Sequence, residues 1–253
     1  MKIEFHCHSR YSFDCSTDIN SIILSCLNRD VKIICISDHD VFGLSQFELS
    51  NFELNGIKLL PAIEFTTSEG IHIIGISDEI KSIQRPKYHY SAMQLISVLL
   101  NIDAHIIIPH PYHKTGLIGN GRLLNSDIND CLEKAHFLEK NNRRYGRIIS
   151  ENFLVKKFSN LKEIVASDAH YAKDIGLFLS ITDGLDHNDL KEMSTHSILN
   201  HIYENNLFLE THHEKSEFYF KFKKLKSNKI YQIALQIIPY WLRLKIKLFL
   251  RLN

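Results

Sequence analysis

The sequence predicts a parallel α/β fold, and three observations indicate it. Short runs rich in isoleucine and valine recur along the chain, and longer segments with helical periodicity separate them. This alternation of strand and helix is typical of parallel strands connected by crossover helices. Several runs are apolar on both faces, as strands covered by helices would be. Periodicity alone leaves open whether the sheet closes into a barrel or forms an open doubly wound sheet.

Short apolar runs predict seven strands, and periodic segments predict five helices. The strands are expected over 3–6, 31–37, 56–63, 71–76, 105–109, 137–139 and 164–167. The helices are expected over 18–29, 43–54, 91–101, 125–134 and 146–157. Either Asp18 or Thr17 caps the first helix, whose apolar face is formed by Ile22, Ile23 and Leu27. No glycine-rich nucleotide loop follows any strand, so no nucleotide-binding motif supports an open sheet.

Composition points to an ordinary globular protein. The 253 residues are 44% hydrophobic and 23% charged, which excludes a disordered or collagen-like chain. Five cysteines, an odd number without a CxxC pair, argue against a secreted disulfide framework. The amino terminus has no basic and apolar signal sequence. We therefore expect a cytoplasmic protein.

The charges divide the chain into an acidic body and a basic tail. Residues 1–213 hold 20 Lys and Arg against 27 Asp and Glu, whereas residues 214–253 hold 10 against two. We expect a domain over 1–213 and a basic, apolar extension over 214–253. Residues 229–253 either pack on the body or contact an anionic membrane peripherally at its inner face, with Tyr240 and Trp241 at the interface. No run of 18 uncharged apolar residues predicts a spanning helix.

Histidines and carboxylates gather at the ends of the predicted strands. His6 and His8 lie two residues apart at the end of the first strand, so both side chains point to one face. Other strand ends carry His39, Glu64, His72, His110, Asp168 and His170. In a parallel barrel such ends converge on one face. Imidazole and carboxylate together suit Zn, Mn or Fe, and two ions could generate a metal-bound hydroxide and neutralise a phosphate.

Six motifs together resemble one known family. HCHSRYSFDC, ISDHDVFGL, PAIEFTT, GIHIIGI, IIPHP and ASDAH, in this order, resemble the PHP (polymerase and histidinol phosphatase) superfamily of metal-dependent phosphoesterases, and are similar to its small stand-alone bacterial members. The resemblance covers about residues 1–180. It implies a distorted (β/α)7 TIM-like barrel, followed here by the basic apolar extension, with two or three divalent ions at the carboxyl ends of the strands.

The resemblance also implies how the ligands divide among the ions. The first site would take His6, His8, Glu64 and Asp168. Glu64 would bridge to a second site completed by His72 and His110. Asp14, His39 and His170 would hold a third ion. Every ligand position of the family is thus filled.

We therefore expect a hydrolase that cleaves a phosphate ester with a metal-bound hydroxide. A monoester such as a nucleotide or a sugar phosphate is favoured over an oligonucleotide diester, because an acidic body disfavours long nucleic acid. A phosphodiesterase or exonuclease acting on short oligonucleotides is the first alternative. A non-enzymatic metal-binding scaffold and a hydrolase of C–N bonds are the others.

Several residues beside the motifs have two interpretations. Asp40 could orient a ligand histidine from the second coordination shell, or cap a strand end. Arg10, His113 and Lys114 could bind the substrate phosphate, or be solvated loop charges. Glu139 could contact a ligand or the barrel floor. His105 lies five residues before His110 and should face the opposite side, so we interpret it as structural.

Overall fold

The computed structural model describes residues 1–83, 89–141 and 157–211. The strands in these ranges are β1 Lys2–Cys7, β2 Val31–Ile36, β3 Lys58–Thr66, β4 His72–Ile76, β5 His105–Ile108, β6 Phe137–Asn141, β7 Lys162–Val165, β8 Phe178–Thr182 and β9 Leu207–Thr211. The helices are α1 Ile19–Arg29, α2 Gln46–Leu54, α3 Ala92–Leu100, α4 Asn125–Lys134, α5 His187–Glu192 and α6 Thr195–Glu204. Single 3₁₀ turns occur at Ile80–Ser82 and Ala172–Asp174. The helix predicted over 146–157 and the tail predicted from 214 lie outside the described residues, apart from position 157.

The strands form a curved sheet that nearly closes into a barrel. Their order is β7-β6-β5-β4-β3-β2-β1-β8-β9. Beyond β7 the chain returns to β1, where Cys7 and Ala169 form a parallel bridge and the His8 amide donates to the Ala169 carbonyl at 2.8 Å. The Ser180 hydroxyl also joins β8 to the Val165 amide and carbonyl of β7. The TIM-like α/β barrel predicted by the resemblance is therefore confirmed.

The all-parallel prediction is wrong at β4. This strand pairs antiparallel with both β3 and β5, whereas the β1–β2, β2–β3, β5–β6 and β6–β7 pairs are parallel. Residues 67–71 join β3 to β4, a connection too short for the crossover that parallel strands need. The reversal puts the start of β4, and with it His72, at the end of the barrel where the neighbouring strands finish.

Two strands and two helices near residue 200 were not predicted. β8 pairs antiparallel with β1, and β9 pairs antiparallel with β8. The α5 and α6 helices lie between these two strands in sequence. Leu190 on α5 and Ile198, Leu199 and Ile202 on α6 are buried in the same core as the barrel interior. The two helices therefore pack against the apolar core inside the barrel.

The barrel interior is apolar except at one end. Inward side chains from seven strands form one buried core, and they include Ile3, Phe5, Ile33, Leu60, Ile74, Ile107, Phe137 and Ile164. Outside the barrel, α1 and α2 pack on β1 and β2, while α3 and α4 pack on the opposite part of the sheet. Interiors packed in this way deform little, so the strand ends are held at fixed positions.

The first helix begins as one of the two capping alternatives predicts. The Asp18 carboxylate accepts a hydrogen bond from the Ser21 amide at 3.0 Å, and Asp18 is the N-cap. Thr17 instead donates its hydroxyl to the His170 carbonyl at 2.9 Å, next to the predicted ligands. The apolar face is shifted by one position, because Cys26 is buried whereas Leu27 is exposed.

His105 lies at the start of β5, away from the strand ends that carry the predicted ligands. It is buried, and its Nε2 atom lies 3.0 Å from the Asn200 side-chain oxygen on α6. The rings of His136 and His196 lie 4.7 Å and 5.2 Å from the His105 ring. Burial, reinforced by the charges of these two histidines, lowers the pKa of His105 to about 4. The interpretation of His105 as structural agrees with this position.

The buried His105 should make stability fall in mild acid. The pKa of His105 is lower in the folded than in the unfolded chain. Below about pH 6.5 the unfolded chain therefore binds a proton that the folded chain does not, and the free energy of unfolding declines as the pH falls towards 4. Between pH 7 and pH 5 the wild type should lose about 2 kcal/mol more unfolding free energy than His105→Gln. Urea unfolding at both pH values measures this difference. Equal losses of unfolding free energy in the two proteins would contradict the lowered pKa of His105.

Candidate metal centre

Strand β1 carries a buried carboxylate, Glu4, that sequence reasoning missed. Glu4 is fully buried and accepts hydrogen bonds from the amides of His6, Ser167 and Gly176 at 3.0–3.3 Å and from the Ser167 hydroxyl at 2.6 Å. Burial raises the pKa of Glu4 to about 7, although the bonds from Ser167 oppose the shift. Glu4 thereby ties β1 to the segment that precedes Asp168. The sequence did offer a signal for Glu4, because it is an acidic residue within an apolar strand, two positions before His6.

Glu64 lies at the centre of the site, with histidines around both of its oxygens. Its Oε2 atom faces Nε2 of His6 and Nε2 of His8 at 3.2 Å and Nδ1 of His39 at 3.4 Å. Its Oε1 atom faces Nδ1 of His72 at 3.0 Å and Nε2 of His110 at 3.1 Å. The carboxylate is 1% exposed. Five histidines from four separate parts of the chain therefore meet at one buried group.

Asp168 and Asp14 extend this cluster. Asp168 Oδ1 lies 3.2 Å from His8 Nε2, 3.5 Å from His6 Nε2 and 3.6 Å from His170 Nδ1. Asp14 Oδ2 lies 2.8 Å from His170 Nε2 and 3.8 Å from His39 Nε2. The structure thus brings all nine predicted ligands into one continuous cluster.

Seven of the nine candidate ligands, all except His110 and Asp168, fall into three overlapping groups. Within each, the atoms lie within 4.8 Å of one another, and the groups are His8, Asp14, His39 and His170; His6, His8 and Glu64; and His39, Glu64 and His72. Glu64 belongs to two of them, in keeping with a bridging carboxylate. His8 and His39 also belong to two groups each, whereas the resemblance implied one ion for each of these histidines.

The cluster fits divalent metal ions in its chemistry. It combines imidazole and carboxylate donors, the set that suits Zn, Mn and Fe. The Nδ1 atom of His8 is buried and makes no hydrogen bond within the described part of the chain. A dense group of buried carboxylates and imidazoles is costly without compensating charge. Two or three cations bound there would supply that charge.

Two predicted ligands adopt a strained backbone. His110 has a φ of 30° and Asp168 a φ of 47°, in the left-handed region that side chains other than glycine seldom adopt. Glu139 stabilises the strained backbone of His110, because its Oε2 atom accepts a hydrogen bond from the His110 amide at 2.6 Å. Such strain persists only where the surroundings enforce it, and it concentrates at functional sites.

Hydrogen bonds outside the cluster orient two of the histidine rings. His6 Nδ1 lies 3.1 Å from Glu139 Oε1, so its Nε2 atom, which faces Glu64, is the one left unprotonated in the neutral ring. His170 Nδ1 lies 3.0 Å from the Asp168 carbonyl, and its Nε2 faces Asp14. Partners of this kind fix the tautomer of metal-binding histidines. The predicted role of Glu139 as a contact of a ligand is the one its geometry supports.

The electrostatics keep the carboxylates ionised. Burial opposes ionisation of Glu64 and Asp168, but the charge of His6 beside both of them keeps each pKa well below its ordinary value. The pKa of Asp14 is also lowered, because the effect of its neighbour His170 outweighs burial. His39 differs, because burial lowers its pKa to about 4 and so favours the neutral ring that can bind a metal.

The residues with two interpretations lie around this cluster. The Asp40 carboxylate accepts from the Thr66 amide at 2.8 Å, a contact that caps a strand end. Arg10 donates to Glu48 at 2.8 Å, and the His113 ring lies 5.6 Å from that of His110. Lys114 is exposed in the same loop. Phosphate binding by Arg10, His113 and Lys114 stays a prediction.

Comparison with known proteins identifies the family of this chain. A family model for the PHP domain matches residues 4–232. The chain belongs to the PHP domain family. This membership confirms the family predicted from the six motifs. A search of curated proteins finds no match.

Three solved structures are similar in fold to this chain. A two-domain protein from Bacteroides vulgatus containing a predicted PHP-like metal-dependent phosphoesterase has a TM-score of 0.65 and 16% identity, covering 84% of this chain. This chain spans 65% of the length of that protein. An amidohydrolase from Chromobacterium violaceum has a TM-score of 0.55 and 14% identity, covering 77% of this chain and 98% of its own. Endonuclease Q, bound to a 27-mer duplex with an abasic lesion, has a TM-score of 0.55 and 16% identity, covering 76% and 57%.

The predicted membrane contact lies beyond the part of the chain that the structure describes. Residues 229–253 fall entirely there, so their contact with an anionic surface stays a prediction. Among the described residues, no helix is long and apolar enough to cross a bilayer.

Replacing Glu64 should remove metal from the protein. Glu64→Gln keeps the shape of the side chain but loses the negative charge that faces five histidines, so we expect at least one ion fewer per chain than in the wild type. Elemental analysis after reconstitution with Mn or Zn measures this number. Glu163→Gln is the matched control, because that carboxylate pairs with Lys140 outside the cluster. Unchanged metal content in Glu64→Gln would contradict the assignment.

Proposed function

We propose that this PHP-family chain hydrolyses phosphate monoesters such as nucleotides or sugar phosphates at the nine-residue cluster. The observation that carries the proposal is the surroundings of Glu64. Each oxygen of this buried carboxylate faces its own set of histidine nitrogens at 3.0–3.4 Å. A carboxylate between two sets of nitrogen donors is suited to bridging two metal ions, an arrangement that recurs in phosphatases.

Two or three divalent ions, Zn, Mn or Fe, would be held by these nine residues. The ligands would be His6, His8, Asp14, His39, Glu64, His72, His110, Asp168 and His170. When bound, the ions would activate a water molecule and neutralise charge on the phosphate oxygens and the leaving group. The protein itself would keep the ligand nitrogens aimed inwards, through Glu139 at His6 and the Asp168 carbonyl at His170.

The charge of the ligand set supports a phosphate monoester. Three carboxylates, Asp14, Glu64 and Asp168, contribute three negative charges when the six imidazoles are neutral. Two divalent ions then leave one positive charge in excess, and three ions leave three. A monoester near neutral pH carries close to two negative charges, whereas a diester linkage carries one. An excess of positive charge in a buried site favours the more highly charged group.

Short oligonucleotides are the alternative substrate. Binding a long nucleic acid requires many Lys and Arg contacts with its phosphates. Residues 1–213 have seven more acidic than basic side chains, from 27 against 20, and Arg10 beside the cluster already donates to Glu48. These features favour small phosphorylated substrates over long polymers. Endonuclease Q is similar in fold, and at 16% identity its substrate does not transfer to this chain.

Hydrolysis of a C–N bond receives less support from the residues. Barrel amidohydrolases typically carry a carboxylated lysine in the metal site, and none of the nine candidate ligands is a lysine. A purely structural metal site is also disfavoured, because every ligand position that the family resemblance implies is filled in this chain.

Removing one ligand from either side of the cluster should abolish turnover. His110→Ala and Asp168→Ala should each lower kcat/KM for p-nitrophenyl phosphate by at least about 100-fold, because even outer-shell partners of metal ligands are worth ten- to a hundredfold. Circular dichroism should be unchanged, since the apolar core of the barrel is untouched.

His105→Gln is the matched control for these variants at pH 7. It alters a histidine on the same strand as His110 but at the other end of the barrel, so kcat/KM should stay within about twofold of the wild type. Wild-type activity in both ligand variants would refute the site.

A further inference from the structure

Phe13 is an exposed aromatic residue that lies directly on the candidate metal centre. The residue is 83% exposed, although it immediately precedes the candidate ligand Asp14. Its ring packs against the ring of His39, with 5.0 Å between centroids and 29° between planes. Single exposed apolar side chains are ordinary on protein surfaces. Phe13 differs from an ordinary surface residue because it stacks on a candidate ligand.

Three rings form a stack that leads from the cluster to solvent. His8, fully buried, stacks on His39 at 4.7 Å and 27°. His39, 8% exposed, stacks in turn on Phe13. Because His39 covers one face of the Phe13 ring, the exposure of that ring comes from its opposite face and its edges. The stack therefore ends in an open aromatic surface beside the candidate metal centre.

The loop that carries Phe13 is fixed by hydrogen bonds on both sides. The Ser12 hydroxyl donates to Asp14 at 3.0 Å and accepts from the His39 amide at 3.3 Å. The amide and the hydroxyl of Ser9 both donate to the buried Asp38 carboxylate at 2.6 Å. A surface held in this way loses little conformational entropy when a ligand packs on it. The ring of Phe13 is thus an ordered surface rather than a loose loop tip.

We propose that Phe13 determines substrate specificity by stacking on a planar aromatic group of the phosphate ester, and that this group is a nucleobase. The inference rests on the proposed function, because it assumes that the phosphate binds at the cluster. In a nucleotide a single sugar separates base and phosphate, so the base could reach the ring next to the cluster. Every nucleobase has an aromatic face, whereas a sugar phosphate has none. Phe13 therefore favours nucleotides within the class of monoesters.

Two substrates that differ only in the base provide the test. Adenosine 5′-monophosphate and ribose 5-phosphate share the ester that would be cleaved, and only the former can stack. Phe13→Ala should lower kcat/KM for adenosine monophosphate about tenfold, the usual effect of losing one base–aromatic stack. The value for ribose 5-phosphate should stay within about twofold. Phe13→Trp should retain the preference for the nucleotide.

Two controls separate stacking from indirect effects. Phe208→Ala removes another exposed phenylalanine, which lies on β9 and is 55% exposed. This variant should leave kcat/KM for both substrates unchanged. The metal content of Phe13→Ala should equal that of the wild type, which excludes an effect through His39. Equal losses on both substrates, or no loss on the nucleotide, would overturn the inference.

Binding measurements distinguish a failure of this inference from a failure of the proposed function. Calorimetry with metal-loaded protein gives Kd for both compounds in the wild type and in Phe13→Ala. If the wild type hydrolyses neither compound, the proposed function fails for them, and the stacking inference is then decided by binding alone. A weaker Kd for adenosine monophosphate in Phe13→Ala supports it. The same Kd in both proteins, or no binding by the wild type, overturns it.

Discussion

The rest of the site depends on one buried carboxylate and the charges around it. Glu64 is 1% exposed, and an isolated ionised carboxylate withdrawn from water in this way would be very unfavourable. It is tolerated because five imidazoles face its two oxygens at 3.0–3.4 Å. Each of these histidines comes from a different position at the strand ends. The buried charge of Glu64 therefore depends on the convergence of the strands, and the same charge is suited to binding the cations of our proposal.

The barrel holds the strand ends together around Glu64 because it is rigid where the backbone of the site is strained. The apolar interior fixes the strand ends, and two further buried carboxylates connect them. Glu4 joins β1 to the segment before Asp168, and Glu139 accepts from the His110 amide and contacts His6. The positive φ angles of His110 and Asp168 are held by this framework. Glu4 and Glu139 are thus as much a part of the site as the candidate ligands themselves.

Proteins of this fold differ in their chemistry. Proteins described as a phosphoesterase, an amidohydrolase and an endonuclease share this barrel at 14–16% identity, so the fold does not specify the substrate. What distinguishes this chain is local. Its charge balance favours small anionic esters, and the stack from His8 through His39 to Phe13 adds an aromatic surface beside the cluster. These two features support our proposal that the substrate is a small phosphate ester that carries a base.

The sequence by itself determined the approximate positions of β1–β7 and, through its motifs, the nine candidate ligands. Local patterns suffice for the strands and for eight of these residues, because side chains two apart in a strand share a face and strand ends in a barrel converge. Asp14 was indicated only by the resemblance of its motif to the family. The tertiary structure decided the direction of β4, the added β8 and β9, the sharing of His8 and His39 between ligand groups, and the roles of Glu4 and Asp40. These depend on hydrogen bonds between residues far apart in sequence. Pairing direction and side-chain partners are properties of such contacts, which no local pattern encodes.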